Sequence, residues 1–352
     1  MRPYLSVIIP HYNNPHALER LLVSLTKSKR SGHFEVIVVD DGSSADNRAT
    51  VRSLIPALQK KIRTSNARIH GVFLSHNRGP AVARNRGAKI AKGKFLVFMD
   101  CDVEAFPDTL ARITAIYGDD PDIVALTGVW VKEQRTRAFF PNFKALRDWS
   151  YWINERDKSG YYFLFSTRIA SIKKTVFQRL GGFDEEYNAP LVEDIELTYR
   201  IARRYAIIFA PDVRVRHEFE DFWPIAKKYF LRAFYWTRLY RRRKRFDPVA
   251  TTLQEAMTSI SGVGILVLGA LAVLGVFMTA GVMTKPLMAM VIVWAFTFAA
   301  HVFLVRRFLY FVYQEKGFSF MMKSIFIGLV LYCIIFAGAL AGQIRTTDSN
   351  TK

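Results

Sequence analysis

The sequence predicts an α/β domain with a mostly parallel sheet, followed by a basic amphipathic interface helix and about three transmembrane helices. Three observations carry this. Apolar strand-like runs alternate with helical spacing three times before residue 100, the pattern of a parallel sheet covered on both faces. Residues 222–246 combine many Lys and Arg with interleaved aromatics and no acid. Residues 256–284, 286–305 and 324–343 carry no Asp, Glu, Lys or Arg, and each can cross about 30 Å of hydrocarbon as a helix.

Residues 5–9 form an apolar β-branched run stopped by Pro10, and Leu18, Leu21, Leu22 and Leu25 give helical spacing over 15–28. A second buried strand, 34–39, ends on Asp40, Asp41 and Gly42. A helix over 45–62 and a strand over 69–74 follow. Asn77, Gly79 and Pro80 start the next helix, whose small residues permit close approach to the sheet. It leads into the run 95–99, which stops abruptly at Asp100 and Asp102. A buried parallel strand delivers such residues to the carboxyl edge of its sheet, where ligands of open α/β sheets bind. An Asp-x-Asp pair there can hold a hard divalent cation that neutralises phosphate oxygens, although any strand can end in a polar turn. No G-x-G-x-x-G follows the first strand, which argues against a dinucleotide fold.

A helix over 107–117 and a strand over 123–131 come next. Residues 139–162 mix Trp149, Tyr151, Trp152, Tyr161 and Tyr162 with Lys144, Arg147, Arg156 and Lys158. Pocket lining, headgroup contact and core packing fit that mixture equally. Residues 181–185 read as a glycine turn anchored by Phe183. Glu193 and Asp194 begin a helix with Thr198 one turn on; the helix dipole keeps such carboxylates ionised, and simple N-terminal capping explains them as well. Short strands over 206–209 and 213–215 precede Arg216, His217 and Glu218.

With 352 residues, a net charge of +20 and 51% hydrophobic residues, the chain has room for two or three domains. The basic aromatic run suits a helix in the headgroup plane of an anionic membrane better than nucleic acid, because spanning segments begin shortly after it. Residues 241–245 are all Lys or Arg and fix the orientation by the positive-inside rule, with 306–323 returning to the cytosol and 345–352 outside. Residues 1–10 read as a strand rather than a signal peptide, so the N-terminal 220 residues are expected on the cytoplasmic side of the inner membrane in a multi-pass protein. The expected domains are 1–220, the interface segment 221–256, the spans 257–344 (about 257–284, 286–305 and 324–343), and a polar tail 345–352. Two cysteines, Cys101 between the aspartates and Cys333 in an apolar run, do not suggest a disulfide scaffold or a zinc cluster.

Six stretches taken in order resemble the motif set of family-2 glycosyltransferases of the GT-A fold: LSVIIPHYNN at 5–14, VVDDGSSAD at 38–46, NRGPAVARNRGA at 77–88, FMDCD at 98–102, GGFDE at 181–185 and VEDIELTYR at 192–200. The resemblance covers about residues 4–218. It implies that Pro10 shapes a nucleotide pocket, that Asp40 and Asp41 contact base and ribose, and that Arg84 lies near the base or diphosphate. By the same resemblance Asp100 and Asp102 position the diphosphate through Mn²⁺ or Mg²⁺, with His217 near the metal. Gly182 belongs to the loop flanking donor sugar and acceptor, Glu193 joins the donor-binding set, and Asp194 is the catalytic base.

The implied reaction is inverting transfer from a nucleotide-sugar, UDP-sugar favoured, to a lipid-linked or glycolipid acceptor. The expected partners include a second copy of the chain or a biosynthetic complex. The Gln-x-x-Arg-Trp signature of processive synthases is missing, the nearest stretch being FLRAF at 230–234. Residues 103–107 read VEAFP, where relatives acting on polyprenyl phosphate have Leu-Gln-His-Pro-Pro. A polyprenyl-phosphate monosaccharide synthase is therefore an alternative rather than the favoured reading, and an inactive nucleotide-binding subunit is another; a nucleotidyltransferase would carry a glycine- and basic-residue-rich phosphate loop after its first strand, which residues 10–15 lack.

Overall fold

A computed structural model describes residues 2–29, 31–61, 67–155, 163–186, 192–243 and 252–344. The expectations for Arg156, Lys158, Tyr161, Tyr162, Lys244, Arg245 and the tail 345–352 lie outside these residues. The chain divides into two compact units, Met1–Arg135 with Lys158–Phe219, and Thr136–Asp157 with Glu220–Lys352.

In the first unit, β1 (Leu5–His11), α1 (Pro15–Leu25), β2 (Phe34–Asp40), α2 (Ala45–Lys61), β3 (Ala67–Phe73), α3 (Pro80–Ile90) and β4 (Phe95–Phe98) alternate as expected. β1 runs parallel to both β2 and β4, and β3 runs parallel to β2. All residues of β1, β2 and β4 are buried, which is why these strands read as continuous apolar runs. Pro10 does not stop β1. The Met99 N–H donates to the Ile8 carbonyl at 3.1 Å where β4 is ending, so the missing donor of Pro10 faces the side that β4 no longer occupies.

β5 (Val103–Ala105), α4 (Thr109–Asp119) and β6 (Ala125–Trp130) follow; α5 (Phe139–Ser150) belongs to the second unit; then come β7 (Ala170–Lys173), α6 (Lys174–Arg179), α7 (Glu193–Ala202) and β8 (Ile207–His217). The eight strands form one mixed sheet in the order β3-β2-β1-β4-β7-β6-β8-β5. The two short strands expected before Arg216 are a single β8. Its pairing with β6 jumps from Thr127↔Phe209 to Val129↔Arg214, so residues 210–213 bulge out between two paired segments.

In the second unit α8 (Phe222–Arg243) is the expected amphipathic helix. α9 (Leu253–Met278) has 26 residues and α10 (Lys285–Ile344) has 60, and both are long and apolar enough to cross a membrane. The connection expected at 306–323 is helical on both sides of Gly317, the residue whose φ of 81° breaks α10. His301 and Tyr332 lie on opposite sides of that break, yet their rings are 5.4 Å apart. Thirty-one residues of straight helix would separate them by about 46 Å, so α10 folds back at Gly317 as a hairpin. In the described part of the aromatic stretch, Phe140, Phe143 and Leu146 pack with Ile225, Phe308 and Val312 and Trp152 is buried, while Trp149 and Tyr151 are half-buried.

Candidate active site

The site is built at the carboxyl edge of β1, β2 and β4 and fastened by two consecutive residues of α3. Arg84 is 2% exposed. Its guanidinium donates to Glu193 Oε1 at 2.8 Å, to Asp100 Oδ1 at 2.7 Å and to Thr167 Oγ1 at 2.9 Å. One side chain therefore joins α3, the end of β4, the loop before β7 and the first turn of α7. Burial alone would lower the Arg84 pKa, but the two carboxylates outweigh it and hold the guanidinium firmly charged. Asn85 reaches the other way. Its amide accepts from the Phe183 N–H at 2.9 Å and donates to the Phe183 carbonyl at 2.8 Å and to Glu185 at 3.0 Å.

Gly182 is the tight point of that loop. Its φ is +73°, and a Cβ there would lie 2.6 Å from Asn85 Oδ1. Phe183 anchors the turn as expected, edge-on to Phe98 at 5.1 Å.

Asp40 and Asp41 are both buried and bound by protein donors. Asp40 Oδ2 is 2.9 Å from His11 Nδ1, and its Oδ1 accepts from the Ser43 N–H at 3.1 Å. His11 Nε2 in turn accepts from the Asn14 N–H at 3.2 Å, which leaves the proton on Nδ1, facing Asp40. Asp41 accepts from the Arg78 and Gly79 N–H groups at 3.0 and 2.7 Å and so pins the entry to α3. Burial raises the Asp41 pKa, with those two hydrogen bonds acting against it.

Asp102 and His217 come together: Asp102 Oδ2 is 3.4 Å from His217 Nε2. The Asp102 carboxylate is 44% exposed and the His217 ring 10%. Asp100, expected in the same metal set, pairs with Arg84. Among the described residues no group of three His, Cys, Asp or Glu side chains is arranged to hold a metal by itself. Cys101, between the two aspartates, is kept as a thiol by burial first and by the carboxylates of Asp102 and Asp100 second.

At the start of α7 the two acids differ in surroundings. Glu193 is 3% exposed and paired with Arg84; Asp194 is half-buried, its Oδ1 accepting from the Ile195 N–H at 2.8 Å. Thr198 Oγ1 donates to the Asp194 carbonyl at 2.7 Å, which fixes the turn as the spacing anticipated.

Several working residues escaped the sequence reading. Gln134 donates to the His217 carbonyl at 3.0 Å and accepts from the Phe219 N–H at 2.8 Å, holding the backbone around His217. Arg135 grips Glu104 through two hydrogen bonds of 2.6 and 2.7 Å, which lower the Glu104 pKa against a smaller opposing effect of burial. The adjacency of Asn85 to Arg84 in a helix-start motif was the one available signal.

A model of the family described as "Glycosyl transferase family 2" matches residues 6–179. Validoxylamine A glucosyltransferase of Streptomyces hygroscopicus subsp. limoneus is 31% identical over 224 residues, covering 56% of this chain and 48% of that protein. Hyaluronan synthase of Pasteurella multocida is 28% identical over 229 residues, covering 56% of this chain and 23% of that enzyme. The chain spans about half the length, or less, of these curated relatives. Among solved structures, the mannosyltransferase PcManGT of Pyrobaculum calidifontis, in complex with GDP-Man and Mn²⁺, shares the fold, with a TM-score of 0.57 at 18% identity over 98% of this chain and 88% of that one.

Proposed function

Because the chain belongs to glycosyl transferase family 2, we propose that this glycosyltransferase moves a sugar, with inversion, from a nucleoside diphosphate donor, UDP-sugar favoured, to a hydroxyl of a membrane-associated acceptor. The observation that carries the reading is the division of labour imposed by Arg84. It engages one carboxylate of each acidic motif, Asp100 and Glu193, so that the second acid of each motif, Asp102 beside His217 and Asp194 in the first turn of α7, is not tied to Arg84.

Asp194 is the general base. The acceptor hydroxyl gives its proton to this carboxylate as the oxygen attacks the anomeric carbon. The bond from that carbon to the diphosphate oxygen breaks, its electron pair leaving with the nucleotide. Attack from the face opposite the leaving group gives inversion, and no general acid is needed because phosphate leaves without one. A carboxylate and an imidazole at 3.4 Å, with Asp100 nearby in sequence, fit a Mn²⁺ or Mg²⁺ ion completed by phosphate oxygens; when bound, such an ion stabilises charge on the departing diphosphate. Asp40 and Asp41 act on the nucleotide through the loops they hold, at residues 11–14, 43 and 78–79.

The acceptor class rests on the second unit. Phe277, Phe296, Phe303 and Phe326 of α9 and α10 are more than half exposed, a surface that suits lipid and not water. A basic aromatic α8 beside such helices supports a multi-pass protein of the inner membrane with its catalytic unit in the cytoplasm and a lipid-linked saccharide or glycolipid as acceptor.

The test is a screen of the detergent-purified full chain against nucleotide sugars with Mn²⁺ or Mg²⁺ and a membrane lipid extract. Released nucleoside diphosphate and label in the organic phase are both read. Label entering lipid with one donor, and lost in Asp194→Asn, is the expected result. Nucleoside diphosphate without labelled lipid would refute the acceptor class, and no turnover with any donor would refute the transfer.

A further inference from the structure

The Arg84 pairing raises a question of charge. A departing nucleoside diphosphate brings two to three negative charges into a site already furnished with Asp100, Asp102 and Asp194. The arginine expected to meet it is buried and compensated by two carboxylates within 2.8 Å. Its charge is already balanced by the protein.

Arg168 is different. It lies in the loop before β7, directly after Thr167, whose hydroxyl accepts from Arg84 at 2.9 Å. Its guanidinium stands over the Trp130 ring at 4.6 Å and the Phe219 ring at 5.8 Å. Phe219 meets the His217 ring at 4.4 Å, and His217 Nε2 is 3.4 Å from Asp102. Arg168 is thus linked to both halves of the site, to Asp100 through Thr167 and Arg84 and to Asp102 through Phe219 and His217. Among the described residues it makes no ion pair and no hydrogen bond; only the two rings hold it, and it is half-buried.

A guanidinium stacked on aromatic faces is oriented but not neutralised. Its N–H edge stays free for a planar, bidentate anion, a task for which lysine, with a point charge and no stacking plane, is a poor substitute. We propose that Arg168 binds the diphosphate of the donor and of the departing nucleotide, supplying the positive charge that Arg84 does not. Trp130 and Phe219 act as the shelf that aims it. This rests on the glycosyl-transfer reading and adds a substrate-binding residue to it.

The experiment compares wild type, Arg168→Gln and Arg168→Lys as full chains in detergent. Calorimetry measures binding of UDP, GDP, UMP and GMP in MnCl₂, and thermal melting checks that each variant folds. One lost charge-assisted contact predicts that Arg168→Gln weakens the better nucleoside diphosphate by about 10- to 100-fold and the matching monophosphate by less than about 3-fold. Arg168→Lys should recover part of the loss. Diphosphate affinity kept within about 2-fold, or an equal loss for mono- and diphosphate, would overturn the assignment while leaving the transfer reading intact. A change confined to the KM of the acceptor would instead assign Arg168 to an anionic group there and overturn the proposal. A wild-type chain that binds no nucleoside diphosphate would overturn both readings.

Discussion

Asn85 pairs its side-chain amide with the backbone of Phe183 in both directions, accepting at 2.9 Å and donating at 2.8 Å, much as a neighbouring strand would. A helix residue thereby holds a glycine loop in place across 98 residues of sequence. Gly181 and Gly182 both have positive φ, but a Cβ on Gly181 meets nothing within 4 Å, whereas one on Gly182 lies 2.6 Å from Asn85 Oδ1. Gly181→Ala should therefore lose only about 1 kcal/mol from backbone strain. Gly182→Ala should lose about 2–4 kcal/mol, since Asn85 must also release Phe183. Chemical denaturation of the two variants decides it; equal losses would contradict the clamp.

The neighbours Glu193 and Asp194 should separate stability from turnover. Glu193→Ala strands half of a buried ion pair and is expected to destabilise by about 3–5 kcal/mol. Asp194→Asn should change stability by about 0.5 kcal/mol or less while lowering turnover by about 10²- to 10⁴-fold. Melting curves and initial rates on the same preparations give both numbers.

Asp102→Asn should act through the cation. Nucleoside diphosphate affinity measured with EDTA is expected to match wild type, and the gain on adding Mn²⁺ should shrink by about 10-fold or more. An undiminished Mn²⁺ gain would move the metal site away from Asp102 and His217.

Acid should loosen the grip of Arg135 on Glu104. The folded Glu104 pKa is depressed, first by its hydrogen bonds to Arg135, so its contribution is fully present above the ordinary carboxylate pKa of about 4.3. It disappears as pH falls through the lower folded value. Arg135→Gln should abolish this part of the stability loss, visible as a shallower fall in melting temperature below about pH 4.5.

Much of this was legible in the chain because its signals are local. β1, β2 and β4 announce themselves as apolar runs, and an acidic pair directly follows the runs of β2 and β4. β5 was not legible, since Val103, Glu104 and Ala105 become a strand only by pairing with residues 215–217. β8 read as two pieces because the bulge at 210–213 removes the alternation between its paired segments. Arg84 was identified by its motif, but its partners were not, since nothing near residue 84 says that Glu193 will meet it. Gln134 and Arg168 were invisible for the same reason: each works on groups that only the folded sheet brings near. Gly317 looked like any loop glycine inside a basic connection, although helix continues on either side of it.

The pairing of Arg84 with Glu193 also dictates a sequence of events. The partners are 109 residues apart, so Glu193 is made long after Arg84. On a ribosome, the parallel half of the sheet can form while Arg84 has Asp100 but lacks its second acid. Closing so long a loop comes late. The nascent sheet must therefore wait, with a cation facing its future interior, until α7 emerges. Premature termination between residues 100 and 192 should then yield a chain in which Arg84 keeps Asp100 but never gains Glu193.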